Sequence, residues 1–187
     1  MTGKLELRRG FSLIELLVVV AILGFLAMST VPVAEIAYIR EKETEFQENL
    51  GQIRKAIKSW RSDCYRHVRK RLGNNKIPES MFCPPDIGSL TKSLPYTINW
   101  PGYQQVTFYP KPYLKEIPQD PFAGAPVWVQ YYASGTSTAS SVYRVGIIQT
   151  DASISTASGV FDVSCHYNPA VRRGYEIAVD GSKYIDW

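Results

Sequence analysis

A carboxylate set inside an apolar run is the first residue with chemistry to explain in this 187-residue chain. Glu15 follows Phe11, Leu13 and Ile14 and precedes thirteen uncharged residues, Leu16 to Met28. At the middle of a spanning helix an acid costs about 2.5–3.5 kcal/mol, less near its end, so such a residue points to a function that supplies a partner. A helix-edge side chain reaching for lipid headgroups is the plainer alternative. Near the other end, Asp180, Ser182 and Asp186 could supply hard oxygen ligands of the kind calcium takes, while Asp180-Gly181 is equally a hairpin turn. Cys64, Cys83 and Cys165 leave one thiol over if a disulfide forms, as 64–83, 64–165 or 83–165. We favour Cys64 with Cys83, which would pin the intervening basic stretch to the preceding helix and contribute ~3 kcal/mol by loop entropy; three buried free thiols are the alternative. Enzyme chemistry finds nothing to rest on. His67 and His166 sit in unrelated contexts, no phosphate-cradling glycine loop or nucleophile motif occurs, and Cys165-His166 lacks the partners of a haem or zinc site.

These residues must be positioned by a chain of 45% apolar residues, 21 Lys+Arg and 17 Asp+Glu. That composition excludes a disordered chain and a disulfide-stapled miniature, and it suits one packed domain. The layout is uneven. Leu16 to Ala34 carries no charge, and its 19 residues would span roughly 28 Å as a helix, close to the ~30 Å of a bilayer's hydrocarbon. No small-x-small cleavage site follows the apolar run, which disfavours an ordinary secretory signal. Lys4, Arg8 and Arg9 precede it, so basic retention predicts a cytoplasmic N-terminus and an exported remainder.

The stretch Arg8-Arg9-Gly10-Phe11-Ser12-Leu13-Ile14-Glu15-Leu16-Leu17 resembles the processing motif of type IV pilins and pseudopilins. The resemblance implies cleavage between Gly10 and Phe11 by a prepilin peptidase, which also methylates the new amine and makes Phe11 an N-methylphenylalanine. A glycine suits a cut site that must lie extended and unobstructed, since it has no Cβ. The resemblance also gives Glu15 its partner, the amine of Phe11 on an adjacent subunit. An amine and a carboxylate buried together approach break-even and fix axial register. Pro32, where similar proteins carry a proline, removes one helical hydrogen bond and presses on the carbonyl of Met28, so a kink or local unwinding is expected.

Beyond Pro32, Ile36, Ile39, Phe46, Leu50, Ile53, Ile57, Trp60 and Cys64 recur three and four residues apart, with Glu43 at the missing step. This narrow stripe predicts an amphipathic helix lying on a small sheet domain. The next steps fall on His67 and Arg71, so the rod is expected to run from Phe11 to about Asp63, roughly 80 Å by helical rise, with Gly73-Asn74-Asn75 a stop signal. Acids come first along it, including Glu41, Glu45 and Glu48, then bases, including Arg54, Lys55 and Lys58. That order complements the helix dipole and suggests pairing between axially displaced subunits. Residues 54 to 76 hold nine Lys/Arg and one acid, interleaved with Trp60 and Tyr65, a pattern nucleic acid could use. The whole-chain net charge of only +4 argues against a dedicated nucleic-acid binder.

Prolines from Pro78 to Pro126 exclude long helices and predict irregular packed loops. Strand-like runs follow at 127–132, 142–148, 160–164 and 175–179, with 134–141 a low-complexity hairpin tip. The expected class is α+β, a type IV pilin-like fold with a long N-terminal helix on a small antiparallel β-sheet head. Residues 1–10 would be a cleaved leader, 11–34 the membrane and filament-core helix, 35–65 its amphipathic half and 66–187 the head. Tyr113-Leu114-Lys115-Glu116-Ile117-Pro118-Gln119-Asp120-Pro121-Phe122 and the ending from Ala178 to Trp187 resemble major pseudopilins of type II secretion, in which an acidic C-terminal loop binds calcium. Here Cys165, His166, Arg172 and Arg173 stand where such a loop gathers carboxylates.

The resemblance implies a non-enzymatic pseudopilin anchored once in the inner membrane, head outside, then assembled into a secretion filament. Its partners would be the prepilin peptidase/methyltransferase, further copies of itself, other pseudopilins and the inner-membrane assembly platform. A type IV pilus pilin or minor pilin is the alternative.

Overall fold

The computed structural model describes residues 12–73, 77–132, 146–148, 159–166, 168 and 170–187. The Gly10-Phe11 cleavage position and the 134–141 hairpin tip lie outside them. Among the described residues a single α-helix, α1 (Leu13–Leu72), is followed by small elements only. Contacts divide the chain into two units, one ending at Glu41 and one running from Lys42 to Trp187.

In the first unit the helix carries no charged residue from Leu16 to Ala34, and the described side chains from Ser12 to Tyr38 are all exposed. The helix is unbroken through Pro32, so the local unwinding that the sequence allowed does not occur. Proline removes one hydrogen bond, and the ladder on either side holds the turn. The hydroxyl of Thr30 donates to the carbonyl of Ala27 at 2.8 Å just before it.

In the second unit the helix has a face. Phe46, Leu50, Ile53, Ile57, Trp60 and Cys64 are all 3% exposed or less, as their spacing requires. The helix does not stop near Asp63. The stripe takes a further step at Val68, wholly buried, and α1 continues to Leu72. His67 and Arg71 were misleading because the core-facing position is Val68, four residues after Cys64. Gly73 then ends the helix with φ +72°, its amide bonded to the carbonyl of Arg69 at 2.9 Å.

The proline-rich segment holds more order than its composition suggests. Two 3₁₀ turns, Glu79–Phe82 and Ile87–Thr91, lead to a hairpin of β1 (Tyr96–Ile98) and β2 (Val106–Phe108), registered Thr97 opposite Thr107. Pro101-Gly102 makes the intervening turn, Gly102 at φ +83°, closed by the Tyr103 amide on the carbonyl of Trp100. A second sheet has β3 (Trp128–Tyr132) at its centre, antiparallel to β4 (Gly146–Ile148) on one side and β5 (Val160–Cys165) on the other. Three of the four expected strand runs are therefore present in whole or part. The fourth, 175–179, forms only an isolated bridge between Ile177 and Lys183. The result is the α+β arrangement of a long helix with a small antiparallel two-sheet head.

Polar side chains flanking the helix stripe tie this head down. Glu43, at the step where the stripe lacks an apolar residue, accepts from the Tyr184 hydroxyl at 2.8 Å and the Val179 amide at 2.7 Å. Asp63 accepts from the Tyr113 hydroxyl at 2.9 Å, and Asn49 donates to the carbonyl of Gln119. Burial, then the carboxylate partner, pushes the Tyr113 and Tyr184 hydroxyls well above the usual phenol range, so both remain donors at any physiological pH.

The head's ionic centre was not visible in the sequence. Asp120 and Arg172 are buried, 0% and 2% exposed at their side chains, and pair at 2.9 Å. Asp120 also accepts from the Phe122 amide, and Arg172 donates to the carbonyl of Tyr175. The guanidinium lies 4.5–5.0 Å from the ring centroids of Tyr184, Phe122 and Phe46. One cation thus joins the turn that Asp120 and Ala125 close, the C-terminal segment and α1.

Candidate assembly segment and its charged face

The site begins with an apolar helical surface. Leu13, Ile14, Leu16, Leu17, Val18, Val19, Val20, Ile22, Leu23, Phe25 and Leu26 each leave about half or more of their surface exposed. This stretch of α1 is long and apolar enough to cross a membrane. So much contiguous apolar surface is tolerated only where lipid or protein covers it. Glu15 is exposed and sits in the first turn of α1, where the free amides at a helix N-terminus favour a negative charge. The helix alone gives the carboxylate modest support, and a cation brought to this turn would complete it.

Farther along, Glu41, Glu45, Glu48, Lys55 and Lys58 are exposed. Arg54 differs: its guanidinium meets Asp162 at 2.7 Å and donates to the main-chain oxygens of Val163 and Trp187. This cation is committed inside the head. Arg61 pairs with Glu79 at 3.1 Å and Arg66 with Asp63 at 3.3 Å, both near the surface, where such pairs contribute little. Trp60, which the sequence offered to a nucleic acid together with Tyr65, is 1% exposed and packs edge-on against Phe108 and Tyr96. Only Tyr65 of the two faces solvent, at 44%.

Asp180 and Ser182 form a local turn rather than an open ligand set. Asp180 Oδ1 accepts from the amide and the hydroxyl of Ser182, at 2.9 and 2.7 Å, which holds its carboxyl below the usual range. Ser182 Oγ also accepts from Trp187 Nε1 at 2.7 Å, and Gly181 closes the turn with φ +87°. Asp180 Oδ1 and Ser182 Oγ are thus engaged within the chain, and Asp186 is exposed at the end of the 3₁₀ turn Tyr184–Asp186. Among the described residues no three His, Cys, Asp or Glu side chains converge as metal ligands. Cys64, Cys83 and Cys165 are all buried, and the structure holds them in the reduced form.

Residues 7–31 match the family described as the prokaryotic N-terminal methylation motif. The match covers Arg8, Arg9, Gly10-Phe11, Glu15 and most of the apolar run, and supports a type IV pilin-like chain processed by a prepilin peptidase. No curated protein matches the chain. No solved structure matches it.

Proposed function

We propose that this chain is a pseudopilin, a structural subunit of a type II secretion pseudopilus. Prepilin peptidase cuts it between Gly10 and Phe11 and methylates Phe11; the product is held in the inner membrane by α1 with its head outside, then stacked into a helical filament. The observation that carries this reading is the methylation motif running directly into an exposed apolar helix with Glu15 in its first turn. A leader removed before the apolar run leaves that run on the product, first as an anchor and then as packing surface in the filament core. In that dry setting Glu15 neutralises the methylated amine of the next subunit and sets the axial step.

Contacts outside the core are electrostatic. Exposed Glu41, Glu45 and Glu48 face Lys55 and Lys58 of a displaced neighbour, and this pairing selects register more than it adds affinity. Arg54 serves the head instead. The family of the motif is structural rather than enzymatic, and the energy for assembly comes from the inner-membrane platform acting on the chain. The secretion reading rests on the Tyr113–Phe122 segment, whose Asp120-Pro121-Phe122 turn is fastened to Arg172. A pilin or minor pilin of a type IV pilus shares the motif and is the competing assignment.

Mass spectrometry of the mature protein from its native host tests the core claim. A chain beginning at N-methylated Phe11 is expected, and residues 1–10 still attached, or removed at another bond, would overturn it. Deleting the gene separates the two assignments: loss of secreted enzymes with surface pili intact supports the pseudopilus, and the converse supports the pilus.

A further inference from the structure

Two of the three cysteines lie where the structure fastens α1 to the first turn of the head. Cys64 occupies the buried stripe of α1, 0% exposed, and Cys83 directly follows the 3₁₀ turn Glu79–Phe82, 1% exposed. Their chain neighbours meet. The rings of Tyr65 and Phe82 pack edge to face with centroids 5.4 Å apart, and about one turn before each cysteine Arg61 pairs with Glu79 at 3.1 Å. The helix and the 3₁₀ turn therefore run side by side here, with Cys64 and Cys83 at matching places on the two. Cys83 is held from its other side: the Val160 amide donates to the carbonyl of Pro84 at 2.7 Å, and Gly159 approaches the Cys83 carbonyl so closely that no Cβ fits. The charge of a Cys83 thiolate would be felt at Cys64, and Tyr96, which donates to the carbonyl of Met81, would feel both thiolates. Cys165 belongs elsewhere. It pairs with Trp128 across the β3–β5 ladder, and its electrostatic neighbours are Arg172 and Asp120.

We propose that Cys64 and Cys83 are the site of an oxidative cross-link, a disulfide joining α1 to the head in the exported protein and leaving Cys165 a thiol. The proposal rests on the export part of the function proposed above, because such bonds persist in oxidising compartments. The oxidant is a disulfide, either of an exchange catalyst or of glutathione. One cysteine thiolate attacks it, giving a mixed disulfide and releasing one oxidant thiol. The second cysteine thiolate displaces the other, so two protein thiols lose two electrons and two protons and the oxidant becomes two thiols. Burial pushes the folded thiols up to about 12 at Cys64 and about 11 at Cys83, at Cys83 against the opposing pull of the Arg61 guanidinium. Thiolate is therefore scarce in the closed head, and the bond forms while the head folds.

Full-length protein from native-host membranes, denatured and alkylated without reduction, gives the direct readout. A Cys64–Cys83 linked peptide lacking two hydrogens, with Cys165 alone alkylated, is expected; Cys165→Ser should leave the linked peptide unchanged. In a second arm the purified full chain is reduced, unfolded and refolded in glutathione buffer. If this arm couples Cys165 to either cysteine, or leaves Cys64 and Cys83 uncoupled, the proposed pair is wrong. If it couples them while the native-membrane sample holds three free thiols, the pairing stands and the export reading fails.

Discussion

Replacing Arg172 with alanine should be among the most damaging single changes in the head. The guanidinium neutralises Asp120 at 2.9 Å in a site where neither side chain is more than 2% exposed. Removing one member of a buried pair costs about 3–5 kcal/mol, because the remaining charge has no water. Asp120 keeps its bond from the Phe122 amide, which argues for the lower half of that range. The lost contacts with the rings of Phe46, Phe122 and Tyr184 push the other way, at about 2 kcal/mol for a desolvated cation. These contributions overlap, so about 4 kcal/mol is expected in all. For a unit of this size that corresponds to a fall in Tm of about 8–16 °C. Thermal unfolding of the full chain in detergent, followed by near-ultraviolet circular dichroism, reads the aromatic cluster directly. The pair is not ideal even in the native protein, since Arg172 Nη2 is buried with no hydrogen-bond partner. Arg172→Met combined with Asp120→Leu should therefore recover most of the loss. A shift below about 2 °C for Arg172→Ala, or a double variant no better than the worse single one, would refute the reasoning.

Gly159→Ala should cost about 2–3 kcal/mol in urea titration, because a Cβ would come within 2.6 Å of the Pro84 carbonyl oxygen and closer to that of Cys83; a change under about 0.5 kcal/mol would mean the approach is relieved cheaply. The reduced protein should lose stability as pH rises above about 9. Unfolded thiols ionise near pH 8.5 while folded Cys64 and Cys83 stay protonated to about 12 and about 11, so their contribution is whole below the unfolded value and drains away above it. The limiting slope is about 1.4 kcal/mol per pH unit for each thiol, and Cys64→Ser with Cys83→Ser should flatten it. Glu15→Ala should leave membrane insertion and head folding intact and abolish filament assembly, scored by cross-linking between subunits; filaments at wild-type yield would remove the role given to Glu15. Lys55→Glu with Lys58→Glu should reduce assembly while Tm moves by less than about 2 °C, since both side chains are exposed; normal filaments would exclude the pairing.

Features set by near neighbours were legible in the residues alone. The stripe from Phe46 to Cys64, the stop at Gly73, the central strand near 128–132 and the strand beginning at Val160 depend on periodicities of a few positions, which side-chain type reports directly. The helix end was placed too early because His67 and Arg71 broke the count one turn before burial ended. The β1–β2 hairpin was missed because its strands are three residues long and lie among prolines. The 175–179 run looked like a strand, yet its hydrogen bonds go to a tight turn at Ser182 and to Glu43 rather than to a ladder.

By itself the amino-acid order determined the two halves of the molecule: an uncharged run able to cross a bilayer behind a methylation motif, then a one-faced helix leading into short strands. Only the tertiary structure decided which charges serve the fold and which remain for other molecules. Arg54 meets Asp162 108 positions away, Asp120 meets Arg172 52 away and Glu43 meets Tyr184 141 away. The strength of each depends on the water excluded around it, and that is a property of the packed chain rather than of any local stretch.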